Sequence, residues 1–210
     1  GFYYDGENIR PAKHPFYNAG LFYIQEPSAM STGAMLPVEE GDRVIDLCAA
    51  PGGKSTQVAA KLNGKGILVS NDISTSRCMA LLKNIEVNGV SNAIITNEDP
   101  TKLAERFEGF FNKIIVDAPC SGEGMFRKDK EAIDTWSMQK INECAYIQRN
   151  LIDQAYKMLK KDGILIYSTC TYSLDENEKQ VEYMINELGM KLLPINKKEG
   201  MSDGFIEGTI

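Results

Sequence analysis

Histidine is almost missing from this chain, which holds a single one, His14, in 210 residues. A Ser-His-Asp triad or a histidine-based metal cluster therefore has little to build on. The five cysteines (Cys48, Cys78, Cys120, Cys144 and Cys170) are widely spaced, odd in number and form no C-x-x-C pair. That argues against a zinc site and against a disulfide framework, so no metal is expected and a reducing, cytoplasmic compartment is. No apolar run is long enough to span a bilayer and no signal-peptide pattern is present, so no membrane partner is expected. Positive charge is also short: the net charge of −6 argues against binding nucleic acid by bulk electrostatics, while leaving room for a local basic surface. Internal repeats and low-complexity tracts are absent.

What is present is ordinary globular composition, 43% hydrophobic and 25% charged, on a length that suits one α/β domain with appendages. The first residue is Gly1 rather than Met, and Phe2, Tyr3 and Tyr4 follow at once, so the chain reads as a piece of a longer protein.

One stretch organises the rest. Val44-Ile45-Asp46-Leu47 has the signature of a buried strand, Pro51-Gly52-Gly53 turns, and Lys54 onward has the composition of a helix closed by Gly64. A strand, a glycine turn and a helix N-terminus form a pocket where backbone N–H groups face a ligand. Gly53-Lys54-Ser55 suggests an NTP-binding P-loop, but that motif needs a glycine where Cys48 stands, and the reading fails. G-x-G-x-x-G is absent too, which disfavours a dinucleotide. A nucleoside cofactor on the first βα turn of a Rossmann-like fold, or an ordinary βα turn, remains.

Residues 1–40 carry seven of the eighteen Phe, Tyr and Trp residues, broken into short pieces by Pro11, Pro15, Pro27 and Pro37. They read as a segment packing its aromatics on the core, with a wall for splayed bases as the functional alternative. From Val44 strands and helices alternate. Strands are expected at 44–48, 66–71, 93–96, 113–117 and 163–168. Cys78, Leu81, Leu82 and Ile85 share a helix face, Ile141 to Leu159 mark a long helix, and Val181, Met184, Ile185 and Leu188 mark another ending at Gly189. The alternation implies an α/β fold, Rossmann-like, with a mostly parallel sheet covered by helices on both faces. Residues 41–195 form the core, and 196–210 give no clear assignment.

Ligands of open parallel sheets bind beyond the carboxyl ends of the strands. Those ends here lead to Cys48–Lys54, to Asp72, to Asn97-Glu98-Asp99, to Asp117-Ala118-Pro119-Cys120-Ser121-Gly122 and to Ser168-Thr169-Cys170-Thr171. Asp72 lies twenty-six positions after Asp46, where an acid would hold ribose hydroxyls. A lone Asp after a strand is commonly just a helix cap. A free Cys is most often a small buried hydrophobe, which fits Cys78 and Cys144 on helix faces. Cys120 and Cys170 sit instead at strand-to-loop junctions, where a thiol can act as a nucleophile.

The stretches Asp46–Gln57, Asp117–Asp129 and Ser168–Glu178 resemble the motifs of the Sun/Fmu family of RNA cytosine-5 methyltransferases. His14-Pro15 and Ala19–Met30 resemble the segment before the cofactor motif in its bacterial RsmF-type ribosomal RNA branch. The resemblance implies a class I methyltransferase fold and S-adenosylmethionine in the loop Cys48, Ala49, Ala50, Pro51, Gly52, Gly53 and Lys54. It puts Asp72 at the ribose, Asp99 at the adenine end and Asp117 between cofactor and target base. It makes Cys170 the nucleophile that adds to cytosine C6 and Cys120 the second cysteine, which helps release the product. DNA cytosine-5 methyltransferases use the Cys of a Pro-Cys pair, here Cys120, so activated-cysteine logic alone does not choose between the two. The implied partner is RNA, with 16S ribosomal RNA favoured over transfer RNA and over a non-catalytic RNA-binding module. RNA-binding parts that flank the core in that branch are expected to lie outside this chain.

Overall fold

A computed structural model describes residues 1–197 and 200–210; Lys198 and Glu199, within the unassigned tail 196–210, lie outside the described residues. The chain divides into two compact units, residues 1–115 with 158–166, and residues 116–157 with 167–210.

The first unit holds the body of a five-stranded sheet in the order β3-β2-β1-β4-β5, from β1 (Arg43–Asp46), β2 (Ile67–Asn71), β3 (Ala93–Thr96), β4 (Phe111–Asp117) and β5 (Leu159–Ser168). The pairs β1–β2, β1–β4 and β2–β3 run parallel, with Val44 opposite Leu68 and Leu68 opposite Ala93. α1 (Pro15–Asn18) and α2 (Pro27–Met35) precede the sheet, while α3 (Gly53–Leu62), α4 (Thr75–Val87) and α5 (Pro100–Arg106) link the strands.

Because side chains alternate along a strand, Val44, Leu68 and Ala93 share one face. Val58 and Leu62 of α3 pack there with Leu36 and Ile115, and α4 adds Leu81 and Ile85 beside Ala49 and Ala50. Strands laid down in one direction with right-handed crossovers put successive helices on the same face. The order reverses at β1, the position where such sheets open a crevice at their carboxyl edge. Ile45, Val69 and Ile114, which point the other way, are as fully buried.

α2 docks on α3 through polar ties: the Lys61 ammonium donates to the carbonyls of Ala34 (2.9 Å) and Leu36 (2.7 Å), and the Gln57 amide to Met30 (3.0 Å). The aromatics of residues 1–40 behave differently from the packing expected of them. Phe2, Tyr3, Phe16 and Phe22 are exposed, and Tyr17 and Tyr23 only half-buried. Tyr17 and His14 each lie tilted against Phe22.

The second unit contains a 3-10 turn (Glu123–Met125), α6 (Lys130–Asp134), α7 (Met138–Met158) and α8 (Glu178–Asn186). Ile141, Cys144, Gln148, Leu151, Ile152 and Ala155 form the buried stripe of α7 at helical spacing.

Several boundaries differ from the sequence reading: β1 ends at Asp46 instead of Cys48, and β4 begins at Phe111, two residues early. β5 begins at Leu159, four residues early, so Leu159 belongs to the strand and not to the helix face. Lys160-Lys161-Asp162-Gly163 reads as a turn, but the strand runs through it with Asp162 at φ 63°, a conformation Asp tolerates better than most residues. Gly163 is required there, since a Cβ would lie 2.8 Å from the Lys160 carbonyl oxygen. α8 likewise stops at Asn186, ahead of Gly189. No helix among the described residues is long and apolar enough to cross a membrane.

Candidate active site

The loop after β1 lies in the first unit. Ala49 N–H donates to Asn71 C=O (2.8 Å) and Ala50 N–H to the Asp72 carboxylate (3.3 Å). The Arg77 guanidinium holds Ala50 C=O (2.8 Å) and pairs with Asp72 (3.3 Å), and the Asn84 amide holds Pro51 C=O (2.7 Å). Beneath, the Ser55 hydroxyl donates to the buried Asp46 (2.7 Å) and accepts from Ser70 (2.8 Å). Gly52 caps α3 at φ 112° and contributes no side-chain hydrogen bond. The positive end of α3, which follows this glycine, suits a carboxylate such as that of an amino-acid cofactor. Gly53 is needed because a Cβ would lie 2.9 Å from the Tyr23 ring and the Gln25 amide.

Two of the acids behave less simply. Asp72 is 2% exposed, and Ala50 N–H, Ser74 N–H (3.0 Å) and Arg77 already occupy its two oxygens. Among the described residues its Oδ1 carries only the Ser74 N–H, which leaves it one further acceptor site. Asp99 is exposed and caps α5, accepting from Thr101 N–H (2.7 Å), and that hydrogen bond holds its carboxyl below the usual range.

The thiols lie in the second unit. Cys120 and Cys170, fifty residues apart in sequence, place their sulfurs 3.2 Å from each other. Cys170 N–H donates to Cys120 Sγ (3.3 Å), and Cys170 C=O accepts from Gly124 N–H (2.9 Å). Cys170 is exposed and Cys120 half-buried. The hydrogen bond with Cys170, and then burial, push the Cys120 thiol well above the ordinary cysteine range, so Cys120 keeps its proton. The Cys170 sulfur is the more accessible of the two and lies beside a thiol that can donate to it. Asp117 accepts from the Ser168 hydroxyl (2.7 Å), as Ala118 N–H reaches Ser168 C=O (2.9 Å). Cys78 and Cys144 are buried on helices, where burial raises both thiols, and Cys48 is half-buried in its loop. Arg127 and Lys128 are exposed in the loop after Cys120, and Lys130 is exposed at the start of α6.

The raised Cys120 thiol has a direct readout. At pH 8.5 an ordinary cysteine is about half ionised. A raised pKa leaves less thiolate at that pH, so the pH profile of Cys120 alkylation should lie above that of free cysteine. In Cys170→Ala it should move back down, because the main cause of the shift is gone. Iodoacetamide labelling followed by peptide mass spectrometry checks this; a wild-type profile matching free cysteine would contradict it.

The sequence reading missed the groups beneath the thiols. Glu176, Ser121 and Gln148 are fully buried, and Glu176 accepts from Ser121 N–H (2.9 Å), Ser121 Oγ (2.5 Å) and Gln148 Nε2 (2.9 Å). The signal available was polar: Gln148 interrupts an apolar stripe at a position that should be inside.

A five-stranded α/β sheet reversing at β1, with a glycine-capped helix after its first strand, defines the Rossmann-like class I fold of S-adenosylmethionine-dependent methyltransferases. An S-adenosylmethionine-dependent O-methyltransferase of Thermotoga maritima shares that fold at 19% identity and TM-score 0.54. The profile described as 16S rRNA methyltransferase RsmB/F matches residues 33–208, and the chain belongs to that family. Ribosomal RNA small subunit methyltransferase F of Aeromonas hydrophila is 42% identical over 175 residues, 81% of this chain and 37% of that protein. The protein of the same name from Psychromonas ingrahamii is 47% identical over 164 residues, 76% of this chain and 34% of its own length. This chain thus spans little more than a third of these curated relatives. NSun6 from Pyrococcus horikoshii, solved with SFG, superposes at TM-score 0.83 with 34% identity, covering 94% of this chain and 50% of that one. A methyltransferase homologue from the same organism gives TM-score 0.80 at 30% identity, covering 90% and 59%.

Proposed function

We propose that this chain is the catalytic core of an enzyme that transfers a methyl group from S-adenosylmethionine to C5 of a cytosine in RNA, with 16S ribosomal RNA as substrate, in the cytoplasm. The observation that carries the reading is the pair of sulfurs 3.2 Å apart, one exposed and one holding its proton, on the loops that follow β4 and β5. Family membership supports the cofactor and the class of substrate.

Cytosine C5 is a poor nucleophile. The Cys170 thiolate adds to C6, forming the S–C6 bond and moving the ring's electron pair toward C5 and N3, where Asp117, if it carries a proton, would donate it to the developing charge and recover it when the ring is restored. The cofactor supplies an electrophilic methyl, with its sulfonium sulfur as leaving group. C5 bonds to that methyl, a base then takes the C5 proton, and the electron pair left behind re-forms C5=C6 and expels Cys170 as thiolate. Cys120 assists this release. Once Cys170 is a thioether its hydrogen bond to Cys120 weakens, and the largest cause of the raised Cys120 thiol is removed. Cys120 then ionises more readily, at the step where a base is needed. The target base must be unpaired or flipped outward to reach such a thiol.

In this reading Cys48–Lys54 hold the cofactor, with Asp72 at its ribose, Asp99 at its adenine end and Asp117 near the transferred methyl. Gly52→Ala forces an L-residue to φ 112°, a strain on the order of 1–3 kcal/mol, so the S-adenosylmethionine Kd should rise roughly tenfold or more. Isothermal calorimetry checks it, and an unchanged Kd would remove the loop from the cofactor site.

The substrate is tested by methyl transfer in the full-length protein to unmethylated 16S ribosomal RNA and to unmodified transfer RNA in parallel. Methylation of the ribosomal RNA supports the reading; a preference for transfer RNA would overturn the substrate assignment and leave the reaction.

A further inference from the structure

We infer that Glu176 is a positioning residue for the thiol pair, tying the loop that carries Cys120 to the loop that carries Cys170. The inference rests on the reading of these two cysteines as the reacting thiols.

The carboxyl group of Glu176 is fully buried and gathers three donors. Two come from Ser121, the residue after Cys120, through its N–H and its hydroxyl. The third, the Gln148 amide, also donates to Pro119 C=O (2.9 Å), on the other side of Cys120. The Cys120 backbone is thus gripped on both sides by groups that converge on one carboxyl. The tie continues across to the other loop, because Ser121 Oγ lies 2.8 Å from the hydroxyl of Thr171, the residue after Cys170. Glu176 itself stands six residues beyond Cys170, and its own carbonyl accepts from the Tyr167 hydroxyl (2.6 Å), which anchors the far end of that loop. Since Ser121 Oγ gives its one proton to Glu176, the Thr171 hydroxyl is the donor in its contact with Ser121. Glu123 adds a parallel rung by accepting from Tyr172 N–H (3.0 Å), and its oxygen 3.1 Å from Thr171 Oγ1 competes for the same hydroxyl proton.

A buried carboxyl costs desolvation that an apolar residue would avoid, so its retention at this point calls for a use. Gln148 Oε1 is buried with no hydrogen-bond partner among the described residues, but each donor tied to the Glu176 carboxyl is paired, and satisfied buried polar ties specify one arrangement of the groups they join. Here the groups joined are the neighbours of both cysteines, and what the arrangement fixes is the distance between two sulfurs.

The test measures that distance chemically. Diamide takes two electrons and two protons from the thiols, forming a Cys120–Cys170 disulfide and the reduced hydrazine. The rate, read by peptide mass spectrometry of the full-length protein, needs neither cofactor nor RNA. Misplacement of reacting groups by about 1 Å costs on the order of 100-fold. Glu176→Ala should therefore slow disulfide formation and lower kcat for methylation, each by roughly tenfold or more, with KM for RNA and cofactor within about twofold. Ser121→Ala removes the hydroxyl link but keeps the N–H bond, and should slow both by about threefold or more; it decides the question if Glu176→Ala does not fold. Native labelling of buried Cys78 reports on folding in each variant. Disulfide formation at the wild-type rate in a folded Glu176→Ala or in Ser121→Ala would overturn the inference. So would slowing accompanied by exposed Cys78, which marks a general loss of structure. If disulfide formation slows as expected but the wild type methylates no RNA, the positioning stands and the proposed reaction falls.

Discussion

Cys170→Ala should reduce methyl transfer by about 10⁴-fold or more, the scale seen when a covalent nucleophile is removed. The size follows from the chemistry. Without a thiolate at C6 the cytosine ring does not become nucleophilic at C5, so the variant loses the reaction itself and not merely some of its rate. Cofactor binding should be untouched, because Cys170 is not among the residues proposed to hold S-adenosylmethionine. The expected pattern is therefore S-adenosylmethionine affinity within about twofold of wild type, no 5-methylcytosine, and no protein–RNA species surviving denaturation. Single-turnover assays with calorimetry read all three. Methylation within tenfold of wild type would remove Cys170 from the nucleophile's place.

Cys120→Ala should behave in the opposite way with respect to the adduct. If Cys120 acts when the C6–S bond must break, its loss lets the bond form and delays its release. A covalent protein–RNA complex should build up to a level visible on a denaturing gel, while turnover falls by about 10²- to 10⁴-fold, the usual span for loss of a proton-transfer group. The two sulfurs are 3.2 Å apart, so geometry alone leaves room for exchanged roles. Exposure separates them: Cys170 is exposed and Cys120 half-buried with its proton retained. An adduct accumulating in Cys170→Ala and absent in Cys120→Ala would reverse the assignment.

Much of the framework was legible because its determinants are local. Val44-Ile45-Asp46-Leu47 followed by Pro51-Gly52-Gly53 announces a buried strand and a turn needing positive φ, and Gly52 does sit at φ 112°. β3 falls where its apolar run predicted, and the buried face of α4 is the one marked by Cys78, Leu81 and Ile85. The juxtaposition of Cys120 and Cys170 was legible from topology, since both follow strands at one sheet edge.

What stayed hidden depends on partners distant in sequence. Glu176, Ser121 and Gln148 meet only because two loops 55 residues apart in sequence converge on a helix residue 28 positions before Glu176, and no periodicity marks that. The ties of Asp72 to Arg77, Ala50 and Ser74 were equally hidden, since no local pattern announces them. Asp99 turned out to cap α5 in the way a lone Asp after a strand commonly does. The start of β5 was misplaced because Asp162-Gly163 carries turn chemistry inside a strand, where the left-handed Asp162 is accommodated.

The central claim is tested most directly by the identity of the modified nucleoside. The full-length protein is incubated with S-adenosylmethionine labelled in its methyl group and with unmethylated 16S ribosomal RNA, and the RNA is digested to nucleosides for mass spectrometry. The account predicts label in 5-methylcytidine alone, and none when Cys170→Ala replaces the wild type. Label on a cytosine nitrogen, on a ribose oxygen or on another base would contradict it, as would 5-methylcytidine formed undiminished without Cys170.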